Sequence, residues 1–190
     1  MPVTTLDPAT ALVLIALQRG ITAMPTVHSA EDVVAKAARL VDAWHRHRLP
    51  VIAVHVAFSP DGGDVLRTRT DARAPGGPPR PDFSELRPEL GLDTRDLIVA
   101  KHGWNAFYGT DLDLQLRRRG VTGIVLAGIS TSIGVESTAR AAAERNYNVA
   151  FAVDAMTDLV AGAHANSLEV IFPRLGQLDT TDRIIAALDA

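Results

Sequence analysis

Short apolar runs rich in β-branched residues alternate along the chain with longer segments of helical spacing. The apolar runs cover residues 11–17, 51–58, 97–101, 123–128 and 148–153. Helical spacing covers residues 30–48, 111–119, about 133–146 and about 161–172, and a terminal helix is predicted to start at Thr180 or Thr181. This alternation is typical of βαβ units around a parallel sheet. It predicts an α/β fold, a single three-layer domain with a mainly parallel sheet flanked by helices.

Two of the predicted helices have recognisable first turns. Ser29 and Asp32 have the spacing of a capping box at the start of 30–48, and Thr110 and Asp113 have it at the start of 111–119. Gly120 is placed to end the second helix. We therefore expect both helices to be capped by these side chains.

Residues 59–95 interrupt the alternation. They contain the turn sequence Asp61-Gly62-Gly63 and a proline-rich cluster over 75–81. Such a composition favours turns and open loop. We predict a long surface loop within one domain that spans residues 1–190, without internal repeats.

Composition narrows the possible functions. Apolar residues make up 47% of the 190 residues and charged residues 22%, as in soluble globular proteins. The net charge of -3 gives no electrostatic reason to expect a nucleic-acid partner. The apolar runs are shorter than the roughly 20 residues of a membrane helix, and residues 1–10 lack the pattern of a secretory signal. We expect a cytoplasmic protein without a membrane partner.

The sequence contains no cysteine, which excludes disulfides, thiolate metal sites and a cysteine nucleophile. Ligands of open parallel sheets bind beyond the carboxyl ends of the strands. Those ends fall at residues 16–20, 101–104 and 128–134. The last segment is a glycine-containing turn before a helix, where backbone N–H groups favour an anion. Lys101 adds an ammonium there or, alternatively, simply marks the end of a strand.

Three segments carry a resemblance to a known family. Residues 11–18 (ALVLIALQ) resemble the first-strand motif of the isochorismatase-like family, also called the cysteine hydrolase superfamily. Residues 101–112 (KHGWNAFYGTDL) resemble its lysine segment, and residues 128–139 (GISTSIGVESTA) resemble its nucleophile turn. With Asp154-Ala155, the resemblance extends from about residue 11 to residue 158.

The resemblance implies a mechanism in which a cysteine thiolate attacks a carbonyl, an aspartate transfers protons and a lysine lowers the thiol pKa. Only the lysine, Lys101, is present. Gly134 stands at the cysteine position and Ala16 at the aspartate position, so the covalent thioester route is excluded. Some isochorismatases also have glycine at the cysteine position and use the aspartate as an acid to cleave a vinyl ether. Ala16 departs from that pattern too, so another acid would have to supply the proton.

Several residues of the matched segments are candidates for substrate binding, and each has an alternative structural interpretation. A Ser-Thr-Ser run is often a helix cap, glutamine in the first motif can be structural, and the aromatic residues can form an apolar wall or a subunit contact. The candidates are Gln18, Trp104, Phe107, Ser130, Thr131, Ser132 and Ile133.

Other polar residues near the predicted crevice are expected to be structural. We expect turn or surface roles for Asp61, Asp64 and His102, a partly buried sheet position for His55, and backbone hydrogen bonds from Glu136. The metal-using nicotinamidase branch of the family places an aspartate and histidines after the second strand, whereas residues 57–61 read AFSPD. We predict no metal site and no cofactor.

Two functions agree with this pattern. The first is a divergent hydrolase acting on a small, anionic or cyclic metabolite by a non-covalent route, with Lys101 and residues 130–134 holding the substrate. The second is a catalytically inactive homologue that binds a small molecule or a protein. The resemblance also implies a homo-oligomer, a dimer or a tetramer.

Overall fold

The computed structural model describes residues 3–71 and 80–190. Its centre is a six-stranded parallel sheet with the strand order β3-β2-β1-β4-β5-β6. The sheet confirms the predicted α/β fold. Its strands are β1 (Thr10–Ile15), β2 (Val51–Val56), β3 (Leu97–Lys101), β4 (Gly123–Ile129), β5 (Asn148–Thr157) and β6 (Gln177–Asp179).

Helices cover both faces of the sheet, as continuous apolar strands require. Every residue of β1 and β4 is buried. Along β1, Val13 and Ile15 pack with the helices of one face, and Leu12 and Leu14 pack with those of the other. The helices are α1 (Arg19–Thr22), α2 (Ala30–Arg46), α3 (Leu112–Arg118), α4 (Glu136–Glu144), α5 (Ala161–Asn166) and α6 (Thr181–Leu188). α2 and α6 share one face, and α3 and α4 share the other.

The two central strands approach closely where they end. Gly128 has a φ of 131°, and a Cβ added there would lie 2.1 Å from the carbonyl oxygen of Ile15. Only glycine adopts this conformation at this distance. Beside Gly128, the pairing of β4 with β5 shifts its register, and the extra residues lie in β5 between Phe151 and Met156.

The two predicted capping boxes have different outcomes. The Ser29 side chain accepts a hydrogen bond from the backbone N–H of Asp32, as predicted. The box of Thr110 and Asp113 is wrong. The Thr110 hydroxyl donates to the Ala106 carbonyl, and the Asp113 carboxylate accepts a 2.8 Å hydrogen bond from the Tyr147 hydroxyl. Thr110 Oγ1 also accepts from the Leu112 N–H at 3.2 Å, so a tertiary partner replaces the local one at Asp113 only.

Element boundaries also differ from the predictions. The helix predicted at about residue 133 starts with a π-helical turn over Thr131–Val135, and α4 follows. The helical segment predicted over 161–172 begins with α5 and continues in wider and tighter turns to Arg174. Thr180 caps α6 by accepting from the Arg183 N–H. Sequence patterns missed the four-residue α1 and the 3₁₀ turn Pro88–Leu90.

The second half of the predicted loop is anchored to the sheet. Residues 72–79, which include most of the proline-rich cluster, lie outside the described residues. Beyond them, Leu86 forms a β-bridge with Gln18, and Arg87 ion-pairs with Glu31. The Phe83 ring packs on Gly20, where an added Cβ would lie 2.0 Å from the ring. Within 3–71 and 80–190, no helix is long and apolar enough to cross a membrane.

The Gly20–Phe83 contact yields a stability prediction. Gly20→Ala places a methyl group inside the space of the Phe83 ring, so it should lower the free energy of unfolding by about 1–3 kcal/mol. Chemical denaturation of Gly20→Ala, Phe83→Ala and the double variant measures the coupling. When Phe83 is already alanine, Gly20→Ala should lower the free energy of unfolding much less than it does in the wild type. Equal costs in both backgrounds would show that the ring does not rest on residue 20.

Candidate functional site

The carboxyl ends of β1, β3 and β4 lie at the edge of the sheet where the sequence predicts a crevice, and they bring together the three positions identified in the sequence. A Cβ added at Gly134 would lie 3.6 Å from Lys101 Nζ and 2.9 Å from Ile15 Cγ2. Ala16 directly follows Ile15, and its N–H donates a 2.7 Å hydrogen bond to the Val54 carbonyl. The fold therefore groups Ala16, Lys101 and Gly134 at one edge of the sheet.

Lys101 is the last residue of β3, and its side chain is buried. Its side chain belongs to a residue only 2% exposed, and Nζ donates to the carbonyls of Gly103 (2.9 Å) and Trp104 (2.6 Å). Among residues 3–71 and 80–190, no carboxylate forms a salt bridge with it. Burial lowers the pKa of Lys101 to about 8 because desolvation disfavours the charged form.

Ala16 holds an unusual backbone conformation. Its φ is 51°, in the left-handed region, and the residue is 3% exposed. That region costs a residue with a Cβ roughly 1–2 kcal/mol. Strained positions of this kind cluster at functional sites. Ala16 therefore has the strained backbone conformation of such a site, but its methyl group cannot transfer a proton.

Gly134 leaves no room for a side chain. The closest neighbour of an added Cβ is the γ-methyl of Ile15, at 2.9 Å. Because isoleucine is branched at Cβ, its χ1 angle is stiff and the methyl group does not swing away easily. The packing around Gly134 therefore excludes a nucleophile at this position unless Ile15 moves.

The backbone of the turn after β4 binds a carboxylate of the protein itself, that of Asp158. The Ser132 N–H donates a 2.6 Å hydrogen bond to Asp158 Oδ2, and Oδ1 of the same carboxylate accepts from the N–H groups of Leu159 and Val160. Asp158 is 1% exposed. Of the backbone N–H groups that the sequence places at this turn, that of Ser132 is therefore engaged by the Asp158 carboxylate.

The hydroxyl of Thr131 is also engaged. It donates to the Thr157 carbonyl at 3.0 Å and lies 2.9 Å from His164 Nδ1. A threonine has a single hydroxyl hydrogen, so Nδ1 of His164 acts as the donor in the second contact. Thr131 is therefore not activated as a nucleophile. Ser130 and Ser132 do not cap the helix with their side chains either, and Ser130 instead accepts from the N–H groups of Ile133 and Val135 through its carbonyl.

Sequence reasoning missed the two histidines beside this turn. The rings of His28 and His164 pack edge to face with centroids 5.1 Å apart. His164 is 7% exposed, and burial lowers its pKa. Neither residue lies in a matched motif, and the two are far apart in the sequence. The sequence indicated only that His164 lies in the helix predicted over 161–172, which does not place it beside this turn.

Gln18 is a structural clamp. Its Oε1 accepts a 2.6 Å hydrogen bond from the Val56 N–H, and its Nε2 donates to the carbonyls of Val56 (3.0 Å) and Phe83 (2.8 Å). Both amide hydrogens are used, and the residue is fully buried. These bonds favour the structural alternative for Gln18, and its role in substrate binding stays a prediction.

The aromatic residues of the lysine segment do not share one wall. Phe107 is 5% exposed and stacks on Tyr147 with ring centroids 5.9 Å apart, under the guanidinium of Arg145. It is part of the core, and its role in substrate binding stays a prediction. Trp104 and Tyr108 are 62% and 83% exposed. These two rings are accessible to a ligand or another subunit.

The remaining polar candidates hold loops in place. His55 Nδ1 lies 2.7 Å from the Ser84 carbonyl, and His102 Nδ1 lies 2.7 Å from that of Ala57. Backbone N–H groups bind the carboxylates of Asp61 and Asp64 and lower their pKa values. The prediction of backbone bonds for Glu136 is wrong, since its carboxylate binds the side chains of Arg140 and Ser167.

Metal-ligand geometry occurs away from the crevice. In the described ranges, the one group of three suitable side chains is His45, Asp93 and Asp96, whose ligand atoms lie within 4.8 Å of one another. These residues lie near the amino ends of β2 and β3, at the opposite edge of the sheet. The crevice between Ala16, Lys101 and Gly134 has no such group among the described residues.

Comparison with known proteins agrees with this geometry. Residues 10–183 match the model of the isochorismatase domain family. The chain is 46% identical over 178 residues to the isochorismatase family protein YwoC of Bacillus subtilis (strain 168), covering 93% of this chain and 92% of the relative. It is 42% identical over 182 residues to YecD of Escherichia coli O157:H7, another isochorismatase family protein, covering 94% and 96%.

Solved structures show the same similarity. An isochorismatase family protein from Burkholderia thailandensis superposes with a TM-score of 0.93 at 50% sequence identity, covering 98% of both chains. The family model and these relatives span nearly the whole chain. The chain therefore belongs to the isochorismatase family.

Proposed function

We propose that the protein is a divergent isochorismatase-family hydrolase whose crevice binds a small anionic metabolite against Lys101 and cleaves it without a covalent intermediate. The observation that carries the proposal is a buried ammonium without a carboxylate partner in the described ranges. Removing such a charge from water is unfavourable unless it is paired. An anionic ligand would supply the missing charge.

The hydrogen bonds of Lys101 leave it ready for this role. Two of its three N–H groups donate to the carbonyls of Gly103 and Trp104. These bonds fix Nζ in the crevice, and one N–H remains for a ligand. The position of Nζ, 3.6 Å from a Cβ added at Gly134, matches the place where the family's lysine meets its nucleophile.

The same group fits the role of the proton donor that Ala16 cannot fill. An efficient general acid has a pKa close to the operating pH, and burial holds the pKa of Lys101 at about 8. In a non-covalent hydrolysis, Nζ would protonate the substrate while water adds to it, and solvent would then return a proton to Nζ. The closed packing at Gly134 and the engaged hydroxyl of Thr131 support a route without a protein nucleophile.

The second candidate function is binding without turnover, by a catalytically inactive homologue that recognises a small molecule or a protein. The observation in its favour is Asp158, whose carboxylate occupies the Ser132 N–H. A substrate oxygen that develops negative charge would have one donor fewer. Measurement of binding and turnover on the same variants separates the two functions.

The charge state of Lys101 predicts how stability changes with pH. The folded pKa of about 8 lies below the ordinary value of 10.5, so between these values the unfolded chain binds a proton that the folded chain does not. The free energy of unfolding should therefore rise with pH across this window. Compared with Lys101→Met, the wild type should gain about 3 kcal/mol between pH 7 and pH 10.5.

Urea denaturation at several pH values measures this difference. Lys36→Met is the matched control, because Lys36 is the other lysine of the chain and lies at the surface in an ion pair with Asp154. The control should keep the wild-type rise. If the free energy of unfolding changes with pH in the same way in the wild type and in Lys101→Met, then Lys101 is hydrated in the folded protein.

A ligand screen tests the proposed function itself. Isochorismate, benzoate, small amides and cyclic enol ethers are added to the wild type, Lys101→Met and Lys36→Met, and the unfolding temperature is recorded. A ligand at 100 times its dissociation constant adds about 2.7 kcal/mol, which corresponds to a rise of roughly 5–11 °C for a domain of this size. The rise should vanish in Lys101→Met and persist in Lys36→Met.

Turnover of each bound compound then decides between the two functions. Hydrolysis with a rate that falls as pH rises through about 8 supports Lys101 as the acid, since only the ammonium donates a proton. Binding without hydrolysis supports the second function. If no compound class shifts the wild type, the proposal of a small-molecule crevice fails.

A further inference from the structure

A cavity of about 330 Å³ opens at the amino-terminal edge of the sheet, away from Lys101 and Gly134. Four of its lining residues are apolar: Leu49, Pro50 and Val51 before and at the start of β2, and Leu97 at the start of β3. The other lining residues are mainly basic. They are His45, Arg48, Arg95, Asp96 and Arg119.

The carboxylates around the cavity are already paired. Arg95 binds Asp93, with NH2 2.6 Å from Oδ2. His45 Nε2 lies 2.9 and 3.0 Å from the two oxygens of Asp96, and the Asp93 N–H donates to the same carboxylate. Neither carboxylate is therefore left to pair with the other two arginines, Arg48 and Arg119.

Arg48 and Arg119 retain donors that no carboxylate uses. Arg119 donates through one terminal nitrogen to the carbonyl and side-chain oxygen of Gln115. Within residues 3–71 and 80–190, the Arg48 guanidinium has neither a hydrogen bond nor an ion pair. A guanidinium fork with free donors matches the paired oxygens of a phosphate or a carboxylate.

The backbone of Arg48 gives an independent reason to assign it a role. Three helices end in the same way, with the second residue after the helix in the left-handed region. After α3 this residue is Gly120 (φ 66°) and after α4 it is Asn146 (φ 61°), the residue types that suit the conformation. After α2 it is Arg48 (φ 56°). Arg48 therefore adopts a conformation in which glycine would be less strained, and strained positions cluster at functional sites.

Compensation of the helix dipole does not account for Arg48. Basic residues often lie at helix C-termini, where they bind the last carbonyl groups. At the end of α2 three of these carbonyls have backbone partners, because the N–H groups of His47, Arg48 and Leu49 donate to Ala43, His45 and Trp44. The Arg48 side chain bonds to none of these carbonyls in the described structure.

A bound metal ion is a less suitable occupant. His45, Asp93 and Asp96 have ligand spacing. A cation would have to break the ion pair between Arg95 and Asp93 and the contact between His45 and Asp96. It would also lie among three guanidinium groups, which repel it. The charges therefore favour an anion.

We propose that this cavity binds a small organic anion. Its phosphate or carboxylate group contacts the free donors of Arg48 and Arg119, and its apolar part rests on Leu49, Pro50 and Leu97. The site is separate from the crevice that contains Lys101. Its occupancy does not depend on the function proposed for that crevice.

Titration calorimetry at fixed ionic strength tests the proposal, with phenyl phosphate, benzoate, inorganic phosphate and uncharged benzyl alcohol as probes. Phenyl phosphate or benzoate should bind the wild type, inorganic phosphate should bind more weakly, and benzyl alcohol should not bind. Arg48→Gly should weaken the binding at least tenfold. Because glycine suits the left-handed conformation, this variant should unfold at the wild-type temperature or above it.

Matched variants show whether the effect belongs to the cavity. Arg119→Gln should weaken the binding, whereas Arg118→Gln should not, because Arg118 is exposed on the same helix but does not line the cavity. Lys101→Met should keep the binding, so the failure of one site is distinguishable from that of the other. The proposal is overturned if the wild type binds none of the anions, or if Arg48→Gly binds them as well as the wild type. It is also overturned if the wild type binds Zn²⁺ in a way that Asp96→Asn abolishes.

Discussion

The close approach of β4 to the end of β1 at Gly128 sets the position of every group in the crevice. A side chain at residue 128 would collide with the backbone of Ile15, so the two central strands can end side by side only with glycine there. Ile15 in turn lies against Gly134, and Gly134 lies next to Lys101. Three successive contacts thus connect the steric requirement at Gly128 with the position of the buried ammonium. The geometry of the site is a property of the core as much as of the loops above it.

Charges within the crevice are stabilised by the main chain and not by one another. The Lys101 ammonium donates to two carbonyl groups, and the Asp158 carboxylate accepts from three backbone N–H groups. Hydrogen bonds to charged groups are among the stronger ones in proteins. Because these partners are dipoles, neither charge is neutralised by an opposite one. An electrostatic field therefore persists in the crevice, and it can act on a ligand.

Much of the fold could be predicted from the sequence because each central strand is buried on both faces. Short continuous apolar runs such as 11–17 and 123–128 are typical of strands that are buried on both faces. The segments between them have the length and spacing of crossover helices. Local patterns were less informative where a tertiary contact overrode them. Asp113 has the spacing of a capping residue, but it binds the Tyr147 hydroxyl. Phe107 lies in a site motif, yet it packs between Tyr147 and Arg145.

The candidate site was predictable in position and not in detail. Strand ends identify the edge of the sheet, and the motifs identify Lys101 and Gly134 within it. The partners of Gln18 and Ser132 depend on residues 38 and 26 positions away, Val56 and Asp158. No periodicity in the sequence signals such pairs. The Gln18 clamp also binds only main-chain groups of the segments that it joins. The clamp itself is therefore independent of the side chains of Val56 and Phe83, so a substitution at either residue leaves its three hydrogen-bonding groups in place and is felt only through packing.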